Sequence, residues 1–165
     1  MRSSVIVRGD VLPQYAELAS ECGDPQRPTG LLWGVDLHAC ASRKEAKTEW
    51  RKAVAGIRAT LDQYPSVRRV CVAGRRPEDS SRPLAPVKRV PGGLALQIHN
   101  DLERDRGRFV QTLVLDVTGC DQPAKLTDRL AETFDARSTG WSDLTLTWND
   151  ITDRGCEQAW EAQAL

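Results

Sequence analysis

Within Leu31–Cys40 the chain alternates from Trp33 onward, with Trp33, Val35, Leu37 and Ala39 set between Gly34, Asp36, His38 and Cys40. A period of two predicts a strand with unlike faces. The period then changes. Trp50, Val54, Ile57 and Leu61 recur at helical spacing, Ser42 and Glu45 form a capping-box pair, and Pro65 ends the run. A helix is therefore predicted over 43–63. Apolar runs predict further strands at Val67–Ala73, Leu94–His99, Phe109–Thr118 and Asp143–Trp148, with a charged turn over 100–108. Leu126, Leu130 and Phe134 predict a second core helix over 123–134. A short strand (Val5–Val7) and helix (Pro13–Ser20) precede a Gly- and Pro-rich loop over 22–29, and residues 152–165 read as a terminal helix. Four prolines and three glycines make 74–93 a long loop, a feature that is often functional.

The core order is then β-α-β-β-β-α-β. Short connections favour antiparallel neighbours, so the expected fold class is α+β: a single antiparallel sheet with two main helices on one face. One domain spans 1–165, with residues 1–29 as an extension, 30–155 as the core and 156–165 as a tail. No internal repeat is visible. On this layout the helices cover Trp33, Val35, Leu37, Leu94, Leu96, Ile98, Leu113, Leu115, Val117, Leu144, Leu146 and Trp148. The opposite face collects Asp36, His38, Cys40, Gln97, His99, Asp116, Thr145 and Thr147, including both histidines of the chain. Three readings of that face stand open: a solvated sheet surface, a metal site using His38, Cys40 and His99, or a thiol–imidazole pair of His99 with Cys120 or Cys71.

Charge narrows the partners. Lys and Arg total 23 and Asp and Glu total 23, so no net field draws the chain to nucleic acid or to an anionic membrane. The arginines near 75–82, 88–89 and 104–108 lack interleaved aromatics and read as solvated loop charge. No run approaches the ~20 apolar residues of a membrane span, and the first ten residues have no signal-peptide core. Five cysteines without a CxxC pair fit a reducing compartment, so a cytoplasmic location is expected.

Four segments together resemble the small prokaryotic S-adenosylmethionine decarboxylases. They are Gly30–Cys40; Ile98-His99 followed by Glu103; Leu115-Asp116-Val117-Thr118-Gly119-Cys120; and Asp153-Arg154-Gly155. The resemblance covers residues 30–155. It implies a decarboxylase-like sandwich and a homodimer or other homo-oligomer. It further implies His99 beside the substrate, Glu103 holding ribose hydroxyls and Cys120 donating a proton; Gln97, Asp116 and Cys40 of the polar face are expected to line the substrate with them.

The departures redirect the expected chemistry. Leu94 stands where that family has the serine that becomes its pyruvoyl group, and the nearest acidic-serine pair, Asp79-Ser80, lies in the proline-rich loop. No pyruvoyl group and no other cofactor or metal is expected, and decarboxylation is not the expected reaction. The expectation is instead a carbon–sulfur lyase or cyclase that uses S-adenosylmethionine and releases 5′-methylthioadenosine. Positioning an internal nucleophile against the sulfonium carbon suffices for this. Attack by the carboxylate gives homoserine lactone; attack by Cα gives 1-aminocyclopropane-1-carboxylate, with Asp36, His38 or His99 as base. The alternatives are a non-catalytic S-adenosylmethionine-binding regulatory subunit of a decarboxylase-like partner, and a likeness of fold alone.

Overall fold

The structure, a computed structural model, describes residues 4–77, 94–107, 110–135 and 144–164. Its strands are β1 (Val5–Gly9), β2 (Gly30–Asp36), β3 (Arg69–Arg75), β4 (Gln111–Asp116) and β5 (Leu144–Thr147). They form one sheet in the order β1-β2-β3-β4-β5. Every neighbouring pair is parallel. The helices are α1 (Ala16–Glu21), α2 (Arg43–Gln63), α3 (Leu94–Arg106), α4 (Pro123–Asp135), α5 (Trp148–Ile151) and α6 (Cys156–Ala164), with a 3-10 turn at Pro13–Tyr15.

This is an α/β fold, and the expected antiparallel α+β sandwich is incorrect. The error traces to Leu94–His99, which is the start of α3 rather than a strand. Its apolar residues do alternate, but the buried ones are Ala95, Ile98 and His99. That is the i, i+3, i+4 spacing of a helix face, and Leu96 is left 48% exposed. With α3 in place a helix bridges β3 and β4, as α1, α2 and α4 bridge the other pairs. Such crossovers return the chain to a parallel neighbour.

Nor do the helices share one face. Trp50, Ala53, Ile57 and Leu61 of α2 pack with Ala95 and Ile98 of α3 over Ile6, Leu31, Val70, Val72 and Val114. Leu18 of α1 and Leu126 and Leu130 of α4 pack with Ile151 and Ala159 over Val5, Leu32, Cys71, Leu113, Leu115 and Leu146. A parallel sheet covered on both sides has near-continuous apolar strands, and Val70-Cys71-Val72-Ala73 are all buried. The polar sheet face expected from alternation is therefore absent. Gln97 and His99 lie on a helix, and Asp36 and Asp116 are the last residues of their strands.

The strands advance across the sheet in one direction, while α1 and α4 cover one face and α2 and α3 the other. Crossovers on opposite faces of such a sheet have opposite hands, so two of the four depart from the usual right-handed rule.

Candidate functional site at the carboxyl edge of the sheet

Open α/β sheets bind ligands outside the carboxyl ends of their strands, where adjacent connections leave for opposite faces. Here β1 leads to the α1 side and β2 to the α2 side; β3 leads to the α3 side and β4 to the α4 side. Connections thus diverge twice, between β1 and β2 and between β3 and β4.

The chain itself fills the first of these crevices. The Asp10 amide donates to the Gly34 carbonyl at 2.9 Å, and the Asp36 amide donates to the Asp10 carboxylate at 2.8 Å. The Tyr15 hydroxyl donates to the Asp10 carbonyl at 3.0 Å. Tyr15 is 1% exposed, and burial, the largest cause, pushes its phenol well above the usual tyrosine range.

A short internal repeat builds the rim of both crevices. Asp36-Leu37-His38-Ala39-Cys40 and Asp116-Val117-Thr118-Gly119-Cys120 share an aspartate, an apolar residue and a cysteine at equal spacing, and each precedes a helix that starts seven residues after its aspartate. The turns match bond for bond. The Leu37 and Val117 amides donate to the β3 carbonyls of Arg75 and Gly74, each at 2.9 Å. The Asp36 carboxylate accepts from the His38 amide at 2.9 Å, as Asp116 does from Thr118 at 3.0 Å. The Cys40 and Cys120 amides donate to the Leu37 and Val117 carbonyls at 3.0 and 3.1 Å. Because β2 and β4 flank β3 and their helices lie on opposite faces, a half-turn about β3 exchanges the two turns.

Each turn aspartate holds one arginine of the β3 tip, but unequally. Arg75 grips Asp36 through two nitrogens, Nε at 3.2 Å and Nη2 at 2.8 Å. That guanidinium fork is closed on its carboxylate. Arg76 reaches Asp116 through Nε alone, at 2.6 Å, while its amide donates to the Thr118 hydroxyl at 2.7 Å. Asp116 is 7% exposed and Arg76 34%. Among the described residues neither terminal nitrogen of Arg76 makes a hydrogen bond. Beside it Gly119 has a φ of 76°, and a Cβ there would meet nothing within 4 Å. The second crevice thus presents a guanidinium held through Nε by a buried carboxylate, a grip that leaves its two terminal nitrogens as further donors.

Opposing effects act on Asp36. Burial would raise its carboxyl, but the Arg75 hydrogen bond, the His38 amide and nearby positive charge outweigh it and hold the pKa below the usual value. A carboxyl held low in the folded state contributes stability that is complete above its unfolded pKa, near 4, and is lost as pH falls through the folded value. Asp36→Asn is accordingly expected to flatten the acid limb of a stability–pH profile below about pH 4, read by urea denaturation at several pH values.

The residues singled out in the sequence divide between two places. Asp36, His38, Cys40, Asp116 and Cys120 gather along the carboxyl edge, on the two repeat turns. His99, Gln97 and Glu103 do not join them. His99 is buried with Nδ1 3.2 Å from the carbonyl of Val110, which precedes β4, at the opposite edge. Its Nε2 lies 3.4 Å from Glu103, while Gln97 is exposed. A shared pocket of His99, Glu103 and Cys120, as the resemblance implied, is not formed; nor is a His99 pairing with Cys120. Asp79-Ser80 and most of the 74–93 loop lie outside the described residues. Among those residues, no three His, Cys, Asp or Glu side chains cluster as a metal ion would require.

The cysteines at this edge are not activated. Burial, the largest cause, pushes the Cys120 thiol up, and burial followed by Glu49 and Glu45 does so for Cys40. Cys71 and Cys156 are buried in the core and are also raised, first by burial. Iodoacetamide at pH 7.5 is therefore expected to modify Cys40 and Cys120 more slowly than free cysteine. Cys71 and Cys156 should react only on unfolding, as intact-mass spectrometry would show.

Arg75 and Arg76, expected as solvated loop charge, form the centre of the site. The findable signal was the repeat, with two adjacent arginines ending the strand between its copies. Two surface hollows of about 480 Å3 each lie elsewhere, one lined by Arg27, Tyr64 and Arg68 and the other by Arg129, Glu132 and Cys156. No helix among the described residues is long and apolar enough to cross a membrane. Compared with protein-family models, with curated proteins and with solved structures, the chain matches none.

Proposed function

We propose that the chain binds a small zwitterionic, amino-acid-type molecule in the β3–β4 crevice, with the ligand carboxylate on the outer edge of Arg76. The observation that carries this reading is the Arg76 guanidinium, fixed through Nε by Asp116 and, among the described residues, unpaired at both terminal nitrogens. A planar carboxylate matches that edge with two parallel hydrogen bonds. The neighbouring charge selects against a bare anion. Asp116 is spent on Arg76, and the exposed Asp121 accepts the Trp148 indole N–H at 3.3 Å through one oxygen only. Asp121 keeps negative charge at the rim for a ligand ammonium or sulfonium.

S-Adenosylmethionine is the member of this class that the sequence nominates, and it carries both charges. The proposed reaction is cleavage at the sulfonium with release of 5′-methylthioadenosine. Lactone formation suits this edge better than cyclopropane formation, because it needs a positioned carboxylate and no base at Cα. The same site without turnover would serve a regulatory, S-adenosylmethionine-binding subunit. Self-association and a cytoplasmic location belong to the same proposal. The latter is supported by five cysteines that are all free.

Incubation of the purified protein with S-adenosylmethionine, followed by liquid chromatography and mass spectrometry, tests the reading. Enzyme-dependent methylthioadenosine with homoserine lactone supports the lyase, and saturable binding without product supports the regulatory form. Absence of binding by S-adenosylmethionine, methionine and other amino-acid zwitterions contradicts the proposal.

A further inference from the structure

The amino edge of the sheet carries a second feature, independent of the Arg76 crevice. Among the described residues, Arg8, Arg58, Arg75, Arg76, Arg104 and Arg129 are paired with carboxylates. Two that are not so paired among the described residues, Arg27 and Arg68, line one hollow of about 480 Å3. Gln26, Gln63, Tyr64, Pro65 and Ser66 complete its wall, so the lining holds two positive charges and no carboxylate. Arg27 makes no hydrogen bond there, and Arg68 makes one weak contact, from Nη1 to the Pro65 carbonyl at 3.3 Å. Asp24, which accepts the Tyr64 hydroxyl at 3.3 Å, pairs with Arg8 at 2.9 Å through the same oxygen.

Both arginines are exposed, so their guanidiniums are free to turn toward an anion seated in the hollow. The volume falls within the range of small-molecule sites. The wall is held in place: Ser66 donates to the Pro28 carbonyl at 2.7 Å, and the Arg68 amide donates to the Thr29 carbonyl at 2.8 Å. These bonds tie the segment carrying Arg27 to the one carrying Arg68.

We infer that this hollow is a binding site for a phosphate-bearing small molecule, whose phosphate Arg27 and Arg68 share. A dianion satisfies both guanidiniums where a monocarboxylate would satisfy one. Gln26 adds an amide donor, the Gln63 amide already donates to the Tyr64 hydroxyl at 3.4 Å, and Tyr64 and Pro65 give an apolar wall for the rest of the ligand.

Titration of the 15N-labelled protein with inorganic phosphate, and separately with adenosine monophosphate, tests the inference at constant ionic strength. Saturable amide shifts are expected at Arg27, Gln63, Ser66 and Arg68. Arg27→Gln or Arg68→Gln should weaken the affinity about tenfold, the scale of one charged hydrogen bond. Arg76→Gln should leave these shifts intact, so failure here is separable from failure at the carboxyl edge. Shifts that do not saturate, that matched chloride reproduces, or that survive the double substitution would overturn the inference. So would a double variant that only loses stability, since the arginines would then serve just the carbonyl end of α2.

Discussion

Gly34→Ala is expected to destabilise the protein by about 3 kcal/mol, the upper range for overpacking a rigid site. A Cβ on Gly34 would overlap the Asp10 carbonyl oxygen and the Tyr15 hydroxyl. The Asp10 oxygen is backbone, held where the Asp10 amide bonds back to the Gly34 carbonyl. Neither neighbour can swing aside as a flexible side-chain end would. The clash falls where the chain leaving β1 closes the crevice beside β2, so the substitution tests how that crevice is filled. Gly23→Ala is the control: a Cβ there meets nothing within 4 Å, and no loss is expected. The urea midpoint at unchanged slope reads both. An unperturbed Gly34→Ala would mean that residues 10–15 do not cross the end of β2.

Arg76→Gln is expected to weaken binding of the zwitterionic ligand about a hundredfold, as loss of a two-pronged charged contact does. Its effect on stability should stay below about 1 kcal/mol, because the arginine is a third exposed and solvent screens the pair. Arg76→Lys should not restore affinity, since an ammonium cannot hold Asp116 with one nitrogen and offer a planar edge with two others. Arg75→Gln separates the two halves of the repeat. Its guanidinium is already closed on Asp36, so ligand affinity should change little and the acid sensitivity at Asp36 should change instead.

Local signals in the sequence read correctly where local chemistry decides. Helix α2 occupies 43–63, where Ser42, Glu45 and Pro65 place its ends. The Ser42 hydroxyl accepts the Glu45 amide at 3.2 Å, and the Glu45 carboxylate accepts the amide of Ala41 rather than that of Ser42. Helix α4 runs to Asp135, one residue past its predicted end. The strand direction failed because it hung on one short segment. Six residues from Leu94 to His99 satisfy both a period of two and the i, i+3, i+4 pattern, and only burial separates them. Taking that segment as a strand removed a crossover and turned the expected sheet antiparallel.

The site was half legible. Asp36, His38, Cys40, Asp116 and Cys120 were picked out as members of one polar sheet face, yet they meet because their strands end at one edge. His99 and Glu103 stand i, i+4 on α3, a spacing that serves a helix surface as readily as a pocket. The arginines that complete the edge were hidden by their place beside a loop rich in proline and charge.

The most direct test of the carboxyl-edge assignment is a 15N spectrum of the protein titrated with S-adenosylmethionine. Saturable shifts centred on Arg76 and the Asp116–Cys120 turn, lost in Arg76→Gln, are the predicted result. Shifts centred on His99 and Glu103, or none at the end of β3 with any amino-acid zwitterion, would contradict it.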